Sequence, residues 1–271
     1  MSADSFIRPA ESGGDWNDNK LDTYNIRIST LPPSDFFPLP LPSLDDIDPG
    51  ILSPPGGAVS REAAGFLIRL KCATPARATQ ESYVAGFAME TLRLLDFDGW
   101  TSSTVSTRRT MPLIVCGETN PVPTDLCLIH AFSDTILLVV ATDNTLTNRV
   151  NAEARAIAGA IAAFQMNNDR RIDCNLDPLD TMTIPCITMA NTRPTFYLVP
   201  VTAALSKAVI LGQGPTTQTV VFRCPTLGRP PQAGADIGME DLEYRGQALR
   251  HFLAFKELSK SHWAHILQGV R

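Results

Sequence analysis

The sequence predicts an α/β domain, a mixed central β-sheet flanked by helices, behind an extended proline-rich arm. Three observations predict it. Stretches with helical spacing of apolar residues alternate with short aliphatic and β-branched runs, in the order helix, strands, helix, strands, helix. Eight of the 24 residues from 32 to 55 are proline, which lacks an amide hydrogen and fixes φ, so no helix or central strand fits there. The 271 residues are 44% hydrophobic and 19% charged, enough apolar material for one sizeable core. The division that follows is an arm over 1–59 and a folded domain over 60–271.

The arm is acidic, with three basic against nine acidic residues in the first 60. Phe36, Phe37, Leu39, Leu41 and Leu44 interleave with its prolines, and a disordered linker would be poorer in such residues. The arm is therefore expected to lie partly on the body. The alternative is a proline-rich ligand for another domain.

In the body, Ser60 caps a helix running to about Lys71, with Glu62 in its first turn. A second helix spans about 80–95, its stripe being Tyr83, Phe87, Glu90 and Leu94. Strands follow at 104–107, 111–116, 125–131 and 136–141, the last two joined by a turn at 132–135. An alanine-rich helix at about 152–167 can approach a sheet closely. Strands at 184–189 and 196–201 precede a helix from the Thr202 cap to the Gly212 stop. A strand at 217–223, a Pro/Gly-rich loop at 225–238 and a helix at about 242–267 complete the chain.

Several function classes are disfavoured. Beyond residue 60 the chain carries 20 basic and 19 acidic residues, so it lacks the Lys/Arg excess that binds phosphate backbones, and the case for nucleic acid is weak. No run of about 18 apolar residues exists to span a bilayer. The first ten residues hold Asp4 and Arg8 and no apolar block, so an intracellular place, cytoplasm or nucleus, is expected. The six cysteines form no C-x-x-C pair and read as buried free thiols. Gly212-Gln213-Gly214 lacks the third glycine of a dinucleotide loop, and no P-loop or G-x-S-x-G elbow occurs, so no organic cofactor is implied. His262 and His265 stand one helical turn apart with no third metal ligand evident.

One constellation carries chemistry. Glu90 sits on a helix, Asp125 opens the apolar strand run Leu126-Cys127-Leu128-Ile129, a turn leads to Leu137-Leu138-Val139-Val140, and a long helix with Glu153 and Arg155 follows. This order resembles the PD-(D/E)XK nuclease fold, in which a helix Glu, a hairpin Asp and an acidic-x-Lys triplet surround a divalent metal. The segments Cys116-Gly117-Glu118, Thr124-Asp125-Leu126-Cys127, the run from Ala158 to Gln165, Pro194-Thr195-Phe196-Tyr197 and Ala254-Phe255-Lys256 are similar to a family of proteins from mushroom-forming fungi with that fold. The similarity covers about residues 60–260. It implies a restriction-endonuclease-like sheet and, by analogy, a possible homodimer.

The resemblance places the triplet at Ala141-Thr142-Asp143. Mg²⁺ or Mn²⁺ would want oxygen ligands at about 2.1 Å in octahedral geometry. Alanine supplies none, aspartate reverses the charge of the expected lysine, and no lysine lies between Lys71 and Lys207. Arg149 or Arg155 could move inward, but arginine stays protonated and accepts no proton. Glu90 and Asp125 match the family positions. Equally, Glu90 could only pair with Arg108 or Arg109, and Asp125 could only accept from turn amides. Glu118 and Asp143 could complete a rearranged metal site with Asp125.

Three functions follow: a nuclease-fold protein that no longer cuts and serves as a binding or regulatory module; a repurposed enzyme with a small-molecule pocket lined by Phe87, Ala141, Thr142 and Asp125, using Asp125, Glu90 or Asp143 as acid or base; or a metal nuclease with ligands drawn from Glu90, Glu118, Asp125 and Asp143. Each requires Glu90, Asp125 and position 141 to come together.

Overall fold

A computed structural model describes residues 15–54, 59–74, 81–143, 149–227 and 237–270. Gln80, most of the expected 225–238 loop and the Arg149 side chain lie outside the described residues.

Among the described residues seven strands form one mixed sheet: β1 (Ile26–Thr30), β2 (Ser103–Val115), β3 (Glu118–His130), β4 (Thr135–Asp143), β5 (Thr181–Ala190), β6 (Arg193–Thr202) and β7 (Thr219–Pro225). Their order across the sheet is β1-β7-β6-β5-β4-β3-β2. Strands β2, β3 and β4 form an antiparallel meander, as do β5, β6 and β7. The parallel pair β4–β5 joins the two meanders, and β1 runs parallel to β7 at the edge. A parallel connection needs a crossover, and the helix between β4 and β5 supplies it.

The sequence explains these elements locally. All but the last residue of β4 is buried, as expected of a central strand covered on both faces. The strands read at 104–107 and 111–116 are one, β2, kinked at Arg108, whose φ is 52°. Cys116 and Gly117, with φ of 53° and 79°, form the tight two-residue turn whose twist matches an antiparallel hairpin.

Among the described residues seven helices flank the sheet: α1 (Asp18–Thr23), α2 (Pro33–Phe36), α3 (Arg61–Ala73), α4 (Glu81–Leu94), α5 (Arg149–Asp173), α6 (Ala203–Leu211) and α7 (Leu242–Ile266). The Ser60, Thr202 and Asp241 side chains accept from backbone amides at the starts of α3, α6 and α7. Helix α5 lies closest to the sheet. At Gly159 a Cβ would stand 2.9 Å from Val139 Cγ1, so only glycine permits this approach. Two amides on α5 bond strand backbone. Gln165 takes both polar groups of Ile114 on the outer edge of β2, at 2.8 and 3.2 Å. Asn167 takes both of Ile136 at 2.8 and 2.9 Å, where the β3–β4 register shifts.

The layers follow from side-chain contacts. Phe196 on β6 meets Phe252 and Phe255 of α7, whereas the next residue, Tyr197, meets Glu153 of α5. Successive strand residues point to opposite faces, so α5 and α7 lie on opposite sides. Helix α4 belongs with α7: Lys256 donates to the Leu95 carbonyl at 2.7 Å, and Phe97 meets Trp263. Phe66 of α3 packs on Phe87 of α4, while α1 and α6 sit beside α5.

The proline-rich segment lies on the body. Phe36, Phe37, Ile47 and Ile51 are buried, with Phe36 against Phe255 and Phe37 against Phe196 and His251. Buried Arg245 of α7, oriented by its bond to the Met239 carbonyl at 2.6 Å, holds it by donating to the Ile51 carbonyl at 2.7 Å. Leu39 remains 63% exposed. Regular structure begins earlier than the expected Ser60, since α1, β1 and α2 precede it and Trp16 and Tyr24 are buried. No helix of the described residues is long and apolar enough to cross a membrane.

Candidate functional site

The site reading turns on Asp125. The β3–β4 ladder ends at the pair Leu126–Val140, and on the other side the pair with Arg108, whose φ is 52°, is skipped before the β2–β3 ladder resumes at Arg109–Thr124. Asp125 thus stands where its strand parts from β4 and where one pair is missing from an otherwise continuous β2–β3 ladder, and its side chain bonds the Thr142 backbone in place of the ended β3–β4 ladder. One oxygen, Oδ2, accepts from the Thr142 amide at 2.7 Å and from the Arg155 guanidinium at 3.0 Å. Arg155 also donates to the Thr142 carbonyl at 3.3 Å. Asp125 and position 141 therefore do come together, and the cation beside them arrives from α5 instead of from β4.

Glu90 does not join them. The buried stripe of α4 is Val84, Phe87, Ala88, Thr91 and Leu92, and the expected stripe residue Tyr83 is 45% exposed. At 3.6 residues per turn Glu90 lies about 130° round from that stripe's centre. It faces α3, where its carboxylate is 3.6 Å from Arg69 and its Oε1 is close to Gly65. Helix α4 is also on the layer opposite α5. The partner is thus Arg69, not Arg108 or Arg109; Arg109 pairs with Asp134.

Glu118 is equally remote. It opens β3 beside the Cys116-Gly117 turn, seven residues before Asp125, roughly 23 Å at 3.3 Å per strand residue. Asp143 ends β4 opposite Ala190, and its carbonyl accepts from the Asn191 amide at 2.9 Å. Among the described residues no three His, Cys, Asp or Glu side chains gather where a metal could be held. The residues present do not fit a Mg²⁺ or Mn²⁺ centre: Ala141 offers no oxygen, Glu90 points elsewhere, and one of the two Asp125 oxygens, Oδ2, already has two donors. The expected small-molecule pocket is not assembled either, since Phe87 lies across the sheet from Asp125 and Ala141 and Thr142 are buried.

A second polar cluster sits beside Ala141. Thr188, paired with Ala141 across the parallel strands, is 3.2 Å from the Tyr197 hydroxyl. That hydroxyl donates to Glu153 Oε1 at 2.8 Å, and Arg223 donates to the same oxygen at 2.7 Å and to Thr30 Oγ1 at 2.9 Å. Burial pushes the Tyr197 phenol well above its ordinary range, and the Glu153 carboxylate adds to this, so the hydroxyl stays a neutral donor. Burial opposes the Arg223 charge, but the hydrogen bond and charge of Glu153 outweigh it and hold the guanidinium protonated. The cluster ties the start of α5 to β6, β7 and β1. Sequence reasoning had placed Glu153 on the helix but had no signal for Arg223, 70 residues away.

Burial raises the Cys127 thiol to about 11 and the Cys224 thiol to about 12, and Cys186, donating to the Ala156 carbonyl, is raised further still, so none supplies a thiolate near neutral pH. Cys72 and Cys174, expected to be buried, are exposed. His265 Nε2 is 3.2 Å from the Thr181 carbonyl, and burial, then His265, lower the pKa of His262. No family model matches the chain, and no curated protein matches it.

Proposed function

We propose that this chain is a non-cutting protein of nuclease-like layout, acting as a binding or regulatory module. The observation that carries the reading is the Arg155–Asp125–Thr142 arrangement. A guanidinium stands against the carboxylate that a divalent cation would need, and position 141 adds no oxygen. The guanidinium competes with a divalent cation for that carboxylate, and a protonated arginine cannot take a proton from water. The order of helix, three-stranded meander, long helix and parallel strand supports the ancestral layout, as does the meeting of Asp125 with position 141. Glu90 does not support it.

The test is direct. Full-length protein incubated with single- and double-stranded DNA and RNA, with Mg²⁺ or Mn²⁺, should leave every substrate intact. Calorimetry with Mn²⁺ should give no saturable heat. Cleavage that disappears in Asp125→Ala, or saturable Mn²⁺ binding lost in Asp125→Asn, would restore the metal-nuclease reading and remove this one.

A further inference from the structure

We propose that the open edge of β1 receives an extended peptide strand from a partner protein, basic where it passes Asp18 and Asp22. This is independent of whether the chain cuts nucleic acid. The two edges of the sheet are treated differently. On β2 the outer backbone groups of Ile114 are both taken by Gln165, Pro112 has no amide to offer on the same side, and the strand kinks at Arg108. Such devices stop a sheet from recruiting another strand.

Among the described residues none of these devices is present on β1. Its ladder to β7 is flanked by the Thr219 amide donating to Asn25 and the Leu31 amide donating to Arg223, so the odd-numbered residues face β7. Ile26, Ile28 and Thr30 turn their amides and carbonyls outward, and those backbone groups have no hydrogen-bond partner among the described residues. Beside this edge runs an open cleft of about 300 Å³ between α1 and β1. Leu21 and Ile26 form a buried aliphatic floor, and Ile28 is half-buried. Asp18 and Asp22, exposed and one helical turn apart, form the lip. An added strand would satisfy the outward groups, and alternate side chains would reach the floor.

Charge selects the occupant. Asp18 and Asp22 outnumber Arg27 along the cleft, so Lys or Arg side chains complement it. A second copy pairing through its own β1 is a poorer fit, because it would bring a second Asp18 and Asp22 to the same edge.

The probe is a fluorescein-labelled heptapeptide of alternating Lys and Val, titrated with full-length protein and followed by anisotropy. Saturable binding is expected. Ile28→Pro, which removes an outward amide and no β7 bond, should weaken it at least about tenfold. Asp18→Lys with Asp22→Lys, both on exposed side chains, should weaken it similarly and favour the matching Glu/Val peptide. The idea fails if no saturable binding occurs, if both variants bind like the parent, or if binding appears only after residues 1–14 are deleted. A dimer in sedimentation that Ile28→Pro dissolves would give the edge to a second copy instead.

Discussion

Consider a double-mutant cycle on Asp125 and Arg155. Asp125→Ala removes the acceptor of the Thr142 amide and the counter-ion of Arg155. Thr142 is 5% exposed, and an unpaired buried amide costs about 1–3 kcal/mol. The ion pair is 28% and 33% exposed at its two side chains, so solvent screening limits it to about 1 kcal/mol. Asp125→Ala should therefore destabilise by about 2–4 kcal/mol. Asp125→Asn keeps an acceptor for Thr142 and should cost about 1 kcal/mol, as should Arg155→Ala, which leaves the Thr142 bond intact. The double mutant should fall short of the sum of the two alanine variants by about 0.5–1 kcal/mol, and 1 M salt should shrink that coupling. Urea unfolding of the four proteins gives the numbers. A coupling of zero at low salt would mean that the guanidinium does not occupy the carboxylate in solution, and the argument against a cation there would collapse.

Two further outcomes follow from buried polar groups. His251 is 0% exposed, with Nδ1 3.0 Å from Thr226 Oγ1 and Nε2, near the Phe37 ring, without a partner among the described residues, and burial lowers its pKa to about 4. The folded value lies below the unfolded 6.5, so between them the unfolded chain binds more protons. The associated stability is complete above pH 6.5 and is lost on acidification toward pH 4, on the order of 3 kcal/mol in all. Urea midpoints at pH 7, 6, 5 and 4 should show the slope and His251→Leu should lack it; an equal slope in both proteins would assign it elsewhere. Asn167→Ala should cost about 2–4 kcal/mol, because it strands two backbone groups of buried Ile136. Hydrogen exchange at the Ile136 amide should accelerate in that variant, and an unchanged rate would mean that another acceptor serves it.

Much of the fold was legible because periodicity is a local signal. The apolar run 136–141, the alanine-rich helix, the Thr202 cap and the Gly212 stop each fall within the element they foretold. Gly212 has φ of 66°, and a Cβ there would stand 2.8 Å from Cys116 Sγ. Two features misled. Tyr83 and Phe87 gave α4 a stripe that included Glu90, but the true stripe runs through Val84, Ala88 and Thr91, where small and polar residues carry less apolar signal. Strand β1 was hidden in the acidic segment, because Ile26-Arg27-Ile28-Ser29-Thr30 becomes a strand by pairing with β7, almost 200 residues downstream.

The site was half legible for the same reason. Asp125 and position 141 are joined by a short hairpin, and sixteen residues of separation suffice to bring them together. Glu90 depends on how a helix is rotated on the sheet, which one sequence fixes only through its whole buried face. Arg155 is the telling residue. A strand lysine would have entered from β4, and the sequence shows its absence; the cation that reaches Asp125 instead projects from the second turn of α5, aimed there by the close seating that Gly159 allows. In place of the lysine that the resemblance led one to expect, the carboxylate has a positive partner that can neither be hydrated like a metal nor exchange a proton.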